Sequence, residues 1–369
     1  IAYSSTARNG AANDVWMMDP DDPENAQIIV ESQDGAYWSP TEFSASGSKV
    51  LVQSYVSIAD SRVGIADLDT GAMTLVAGGP ENYSTNVPVA FDDENDGVWF
   101  ITDQGSEFRR LAWQSAEAGA APEIVTTVLE WDVSDAAMSH DRRRIAFTTN
   151  ENGMSRVYLM DTATRDYRVV DAIPTGLAFG LTFSPDDSRL AMTLSSATTP
   201  SDVFVLDLAS EPLGYGRLTR WTESEVGGLD TSVFRTPELI HFPTFDEVDG
   251  KPREIPAWIY RPAGAGPYPV IISIHGGPES QSRPGFSSTF QMWVDKLGAA
   301  VIRPNVRGSS GYGKTYTGLD NGFNREDSVR DIGALLDWIE TQPDLDADRI
   351  AVSGGSYGGY MVLASAFHY

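Results

Sequence analysis

The amino-acid sequence predicts two parts in series: a partial β-propeller of four to five blades over residues 1–225, and a partial α/β domain with a mainly parallel sheet over 226–369. Three observations carry this reading. Short strand-like runs recur through the first part with a period of roughly 47 residues, a spacing typical of repeat architectures. A second row of strand-like segments keeps step with the first. Past the Gly-containing stretch TESEVGGLD the texture changes to β-branched runs alternating with helical periodicity. At 369 residues the chain also exceeds the usual size of one hydrophobic core, so two domains are expected.

Four segments define the repeat: FSASGSKVLVQSY from Phe43, FDDENDGVWFITD from Phe91, MSHDRRRIAFTTN from Met138 and FSPDDSRLAMTLS from Phe183. Each opens on an apolar residue, crosses a polar turn and resumes as a β-type run seven positions on, at Val50, Val98, Ile145 and Leu190. The second row is VWMMD at 15–19, VGIAD at 63–67, FRRLAW at 108–113, VYLMD at 157–161 and VFVLD at 203–207. Its last positions are spaced by 48, 46, 48 and 46 residues. Short strands with turn chemistry at this period read as four-stranded blades of the WD40-like or TolB-like kind. The opening IAYSST matches IAFTTN at 145–150, so the chain is expected to start inside a blade and to be a fragment.

In the second part, ELIHFPTF (238–245) and IPAWIY (255–260) read as strands joined by the turn DEVDGKP. YPVIISIH (268–275) is a continuous run suited to a buried central strand. A helix is expected near 287–297 and a strand at AAVIRPN (299–305). Val329, Ile332, Leu335, Leu336 and Ile339 keep helical spacing, with Asp327 or Ser328 placed to cap the start and Pro343 just past the end. RIAVS (349–353) reads as another buried strand, and Met361 to Phe367 as a buried helix.

Between that strand and that helix lies Gly354-Gly355-Ser356-Tyr357-Gly358, a G-x-S-x-G pattern. Acyl-transfer chemistry needs a serine on a tight strand-to-helix turn, where its hydroxyl projects above the sheet edge. Small residues two positions either side let strand and helix approach closely. Ser356 is the candidate nucleophile, and the Tyr357 N–H, at a helix N-terminus, is placed to face a developing oxyanion. His275-Gly276-Gly277-Pro278 follows the 268–275 strand and resembles the His-Gly-Gly loop of α/β-hydrolases, which supplies a second oxyanion donor.

Taken together, IHGGPES, RPNVRGSSGYG and SGGSYGGYM behind a propeller resemble the prolyl oligopeptidase family of serine peptidases. The motif resemblance covers about 264–369. It implies an α/β-hydrolase domain capped by a seven- or eight-bladed propeller that limits access to oligopeptides and small proteins. It also implies Ser356 as nucleophile, with the Tyr357 and Gly277 N–H groups as oxyanion donors. His275 stands where prolyl oligopeptidases and dipeptidyl peptidases carry a tyrosine whose hydroxyl is the second donor. A histidine followed by Gly-Gly-Pro looks more like the acylaminoacyl-peptidase branch. The Glu-Glu pair with which dipeptidyl peptidases hold a free amine has no counterpart within these residues, where no two glutamates are adjacent, although further blades could hold one.

None of the four histidines suits the role of base. His140 falls in a repeat hairpin, His241 in the first strand after the linker, and His275 is read as shaping its loop. His368 stands twelve residues beyond Ser356, roughly 18 Å along a helix at 1.5 Å per residue. Hydrolases of this fold place the triad Asp or Glu and the His after the serine, so both are expected beyond Tyr369, and the 369 residues alone are expected to be inactive. Two alternatives stay open: an esterase using the same elbow, and a propeller-based binding protein with an inactive hydrolase part.

Fifty-two acidic against 26 basic residues, four of them lysines, leave a net charge of −26, which argues against nucleic-acid and membrane-surface partners. The expected partners are peptide substrates, an oligomer is possible, and the compartment is open between cytoplasm and an exported location. With no cysteine, thiol catalysis and cysteine-ligated metal are excluded within these residues. No metal or cofactor is expected: Asp92, Glu94, Asp96, Gly97 and Asp103 imitate a calcium loop but align with the ordinary turn FSPDDSR. Arg307 reads more readily as a salt bridge fixing its loop than as a substrate contact.

Overall fold

The computed structural model describes residues 1–94, 96–117 and 119–369. Residues 1–220 form five small antiparallel sheets, each built from consecutive strands. The first has three strands, Ala2–Ser5, Asp14–Asp19 and Asp22–Val30. The second is Tyr37–Phe43, Lys49–Ser57, Asp60–Asp67 and Met73–Ala77; the third is Asn86–Phe91, Gly97–Thr102, Arg110–Ser115 and Glu123–Ile124. The fourth is Asp132–Met138, Arg144–Glu151, Met154–Asp161 and Tyr167–Val169; the fifth is Leu177–Phe183, Arg189–Ser196, Thr199–Leu208 and Tyr215–Arg220.

The repeat has a structural meaning. Phe43 pairs with Val50, Phe91 with Val98, Met138 with Ile145 and Phe183 with Leu190, as cross-strand partners closing each first hairpin. All four second members are fully buried. The second row needs one correction. Val50, Ile145 and Leu190 face Ala66, Met160 and Leu206, whereas Val98 faces Gln114. The position equivalent to Asp67, Asp161 and Asp207 is therefore Ser115, not Trp113, which pairs with Trp99. The stretch Asp92–Gly97 is a hairpin turn in which the Asp92 carboxylate accepts the Asp96 N–H at 3.0 Å and the Trp113 indole N–H at 3.1 Å. Asn95 lies outside the described residues.

Strand alternation makes the sheets stack. Side chains at successive positions point to opposite faces, so Val50 and Val52 join a core with the first sheet while Leu51 joins one with the third. In the third sheet, Val98 and Phe100 face the second sheet, and Trp99 and Ile101 face the fourth. Ala146 continues the series toward the fifth sheet. Arg142 ties three sheets together at one end: it donates to Glu42 Oε1 at 2.7 Å and to the Phe91 carbonyl at 3.3 Å.

The remaining sheet has the order Glu238–Val248, Lys251–Tyr260, Ala300–Pro304, Tyr268–Ile274, Leu345–Gly354. It is mixed rather than mainly parallel: the first two pairings are antiparallel and the last two parallel. The turn expected across DEVDGKP is only Asp249-Gly250, both at positive φ (53° and 73°), because Asp-Gly suits the two-residue hairpin that matches strand twist. Helices α1 (Ser288–Lys296), α2 (Lys314–Gly318), α3 (Asp327–Glu340) and α4 (Tyr357–His368) connect or follow the strands.

Helix α3 buries Val329, Ile332, Leu335 and Ile339 against the sheet. Neither Asp327 nor Ser328 caps it. The 3-10 turn Gly322–Glu326 runs straight into α3, so its first amides sit in continuous helical backbone, and the Ser328 hydroxyl donates to the Arg325 carbonyl instead. The Leu345–Gly354 strand stands at the sheet edge and is half exposed, not buried. Helix α4 likewise buries only Gly358, Met361 and Ser365, while Leu363 and Phe367 are 74% and 86% exposed. Apolar composition alone did not say which side of this helix is covered. No helix among the described residues is long and apolar enough to cross a membrane.

Candidate active site

The Leu345–Gly354 strand turns into α4 through Gly355 and Ser356. Ser356 has φ 55° and ψ −123°, a conformation that non-glycine residues rarely adopt, and its side chain is exposed. The flanking glycines make this bend possible. A Cβ at Gly354 would stand 2.7 Å from the Gly358 carbonyl group, and one at Gly358 would overlap the Ile274 carbonyl oxygen. The Ser356 carbonyl accepts the Gly359 and Tyr360 N–H groups at 2.9 and 3.2 Å. The Tyr357 N–H, first in α4, has no carbonyl one turn earlier to bond within the helix.

The Tyr357 side chain is pinned below the bend. Its hydroxyl donates to Ser328 Oγ at 2.6 Å and lies 3.3 Å from Asp320 Oδ2, with the Arg325 guanidinium 5.5 Å from the ring centre. Asp320 is fully buried and pairs with Arg325 at 2.7 Å; a Cβ at Gly308 would overlap its carboxyl. Burial raises the Asp320 pKa against the pull of Arg325.

The adjacent strand ends at Ile274, which pairs with Gly354, so the two loops leave the sheet side by side. A Cβ built on Gly276 would lie 3.9 Å from the Ser356 hydroxyl. Gly277 follows at φ 123°, where a side chain would press within 2.7 Å of the Glu279 amide. His275 Nδ1 lies 2.7 Å from the Gly276 carbonyl, which only accepts, so Nδ1 carries the proton. Its Nε2 lies 2.9 Å from Ser309 Oγ, whose hydroxyl donates to the Val306 carbonyl at 2.6 Å. Burial lowers the His275 pKa and keeps the ring neutral. This bond fixes the Gly276–Gly277 peptide plane, and in a planar trans peptide the Gly277 N–H then points away from the imidazole.

Arg307 is 3% exposed and forms a fork with Asp331 (3.0 and 2.8 Å) plus a 2.8 Å bond to Asp246. Burial opposes its charge, but the two carboxylates outweigh that and raise its pKa. It is a loop anchor. The other histidines stay apart from the bend: His140 pairs with Asp187 at 2.9 Å across two hairpins, His241 is exposed on the Glu238–Val248 strand, and His368 ends α4. A cavity of about 160 Å³ opens between the third sheet and the 310–321 loop. Glu279, two residues past Gly277, helps line it; Ser356 does not. Ser309, Ser328 and Asp320 escaped the sequence reading, since hydroxyls and carboxyls in loops carry no periodic signal.

Residues 284–369 match the model of the prolyl oligopeptidase family, a span that includes the Ser356 bend and leaves the His275–Pro278 loop outside. The chain is 32% identical over 182 residues to the uncharacterized peptidase YuxL of Bacillus subtilis, covering 48% of this chain and 26% of that protein. It is 24% identical over 306 residues to dipeptidyl peptidase family member 6 of Caenorhabditis elegans, covering 77% and 40%. Among solved structures, prolyl oligopeptidase B from Galerina marginata, bound to a 35mer hydrolysis and macrocyclization substrate, superposes with a TM-score of 0.84 at 14% identity, over all of this chain and 52% of that one. A prolyl endopeptidase structure gives 0.82 at 16% identity, over 100% and 53%. The chain thus spans about half the length of these structures, or less than half of the curated relatives, and its fold resembles their propeller plus hydrolase domain. Residues 284–369 thus resemble the prolyl oligopeptidase family.

Proposed function

We propose that this protein is a serine peptidase that hydrolyses oligopeptides through an acyl-enzyme on Ser356. The observation that carries the reading is the strained, exposed Ser356 at a strand-to-helix bend, with Gly276 against its hydroxyl. The five stacked sheets are read as propeller blades over 1–225, and residues 226–369 as part of an α/β-hydrolase domain.

In this reading Ser356 Oγ attacks the scissile carbonyl carbon and gives its proton to a general base. The Tyr357 and Gly277 N–H groups hold the negative oxygen that forms. Collapse breaks the C–N bond, and the amine leaves with the proton. Water then attacks the ester, its proton returning through the same base, and frees the acid and Ser356. His275 is committed to its own loop and His368 ends the far turn of α4. We therefore propose that the acid–base pair comes from outside these 369 residues.

Turnover of aminoacyl-naphthylamides and oligopeptides by the protein at its full encoded length tests this. Ser356→Ala should lower kcat at least about 10³-fold, as removal of a triad nucleophile does. Turnover of p-nitrophenyl esters alone would favour an esterase, and no Ser356-dependent turnover at all would favour a binding protein.

A further inference from the structure

Glu107 stands on the loop between the second and third strands of the third sheet, yet its carboxylate reaches the other half of the chain. It accepts the Thr315 N–H on Oε1 and the Thr315 hydroxyl on Oε2, both at 2.8 Å. Its own carbonyl accepts the Lys314 N–H at 3.0 Å, and Lys314 Nζ donates back to the Asp103 carbonyl at 3.2 Å. Gly313, at φ 90°, leaves room for this carboxylate: a Cβ there would overlap Glu107 Oε1. Two residues far apart in sequence are thus shaped for one another.

From α2 the contact runs on toward Ser356. The Tyr316 carbonyl accepts the Gly308 N–H at 3.1 Å, and the Tyr316 hydroxyl donates to the Asn305 carbonyl at 2.7 Å. The same loop meets the segment 275–282 at three points. Ser309 Oγ lies 2.9 Å from His275 Nε2, Ser310 N–H donates to the Ser280 carbonyl at 2.9 Å, and Asn305 Oδ1 accepts the Ser282 N–H at 2.6 Å.

We infer that Glu107 is a positioning residue. By seating α2, it sets the 305–313 loop, and through Ser309 and Ser310 it sets the loop beside Ser356. The stacked sheets then act on the site as well as flank it. The kinetic half of this inference rests on Ser356 being the nucleophile; the structural half does not.

The test compares Glu107→Ala and Glu107→Gln in the full chain by amide hydrogen exchange, with kinetics in the protein at its full encoded length. Glu107→Ala should raise exchange roughly tenfold in 275–281 and 305–318, with the strands at 189–208 unchanged. Glu107→Gln keeps an acceptor for the Thr315 N–H and should stay near the parent. In kinetics, Glu107→Ala should lower kcat roughly tenfold with KM little changed, since misplaced groups cost rate more than binding. Faster exchange confined to 314–318, with 275–281 as protected as in the parent, would overturn the inference. So would faster exchange spread equally over 189–208. If exchange responds as expected but no Ser356-dependent turnover exists in the parent, the positioning role stands and the peptidase reading falls.

Discussion

Gly276 lies against Ser356: a Cβ at Gly276 would stand 3.4 Å from the Ser356 Cβ. The two residues are 80 positions apart and meet because the strands that carry them are parallel neighbours, with Ile274 opposite Gly354. Sheet register therefore sets the distance between the hydroxyl and the glycine loop, and small residues on both sides keep it short. Four expectations follow from this arrangement and the buried groups that support it.

The left-handed backbone at Ser356 stores strain of about 1–3 kcal/mol, which glycine would relieve. Ser356→Gly should be more stable than Ser356→Ala by roughly 1 kcal/mol in urea unfolding. Both delete the hydroxyl, so their difference reports the backbone. Equal stability would show that the bend is unstrained.

Arg307 holds the fully buried Asp331, so its loss leaves an uncompensated charge in the core. Arg307→Ala should destabilise the chain by about 3–5 kcal/mol, the usual result of breaking a buried pair from one side. Arg307→Lys should fall between, because an ammonium cannot reproduce the fork. A loss below roughly 1 kcal/mol for the alanine variant would be that of a surface pair, not a buried anchor.

Folding keeps His275 neutral, since burial lowers its pKa from the ordinary 6.5. As pH falls past 6.5, the unfolded chain binds a proton that the folded chain refuses. This contribution is therefore complete above 6.5 and shrinks as pH drops toward the depressed folded value. The stability gap between the parent and His275→Asn should narrow from pH 7 to pH 5. Raised carboxyls such as Asp320 and Asp331 occur in both proteins and cancel. A gap that is flat across the window would mean the ring is not protected.

Much of this was legible in the sequence. Phe91 and Val98 revealed their hairpin because an apolar residue, a polar turn and a second apolar residue at fixed spacing must close on each other to bury both. The slip at Trp113 arose where that logic thins. Asp67 and Asp161 end their strands with a carboxylate that accepts two N–H groups of the following turn, whereas Ser115 accepts one, from Glu117, through a hydroxyl. The Ser356 bend was legible because its glycines are demanded locally. Glu107 was not, because its partner Thr315 is 208 residues away and only the packed fold brings them together. An apolar helix such as α4 likewise states its preference, not its neighbours.

The claim that Ser356 is the nucleophile is tested most directly by treating the protein at its full encoded length with a fluorophosphonate and mapping the adduct by mass spectrometry. A single adduct on Ser356, lost together with peptide turnover in Ser356→Ala, is the expected result. An adduct on another serine, or turnover that survives Ser356→Ala, would contradict it.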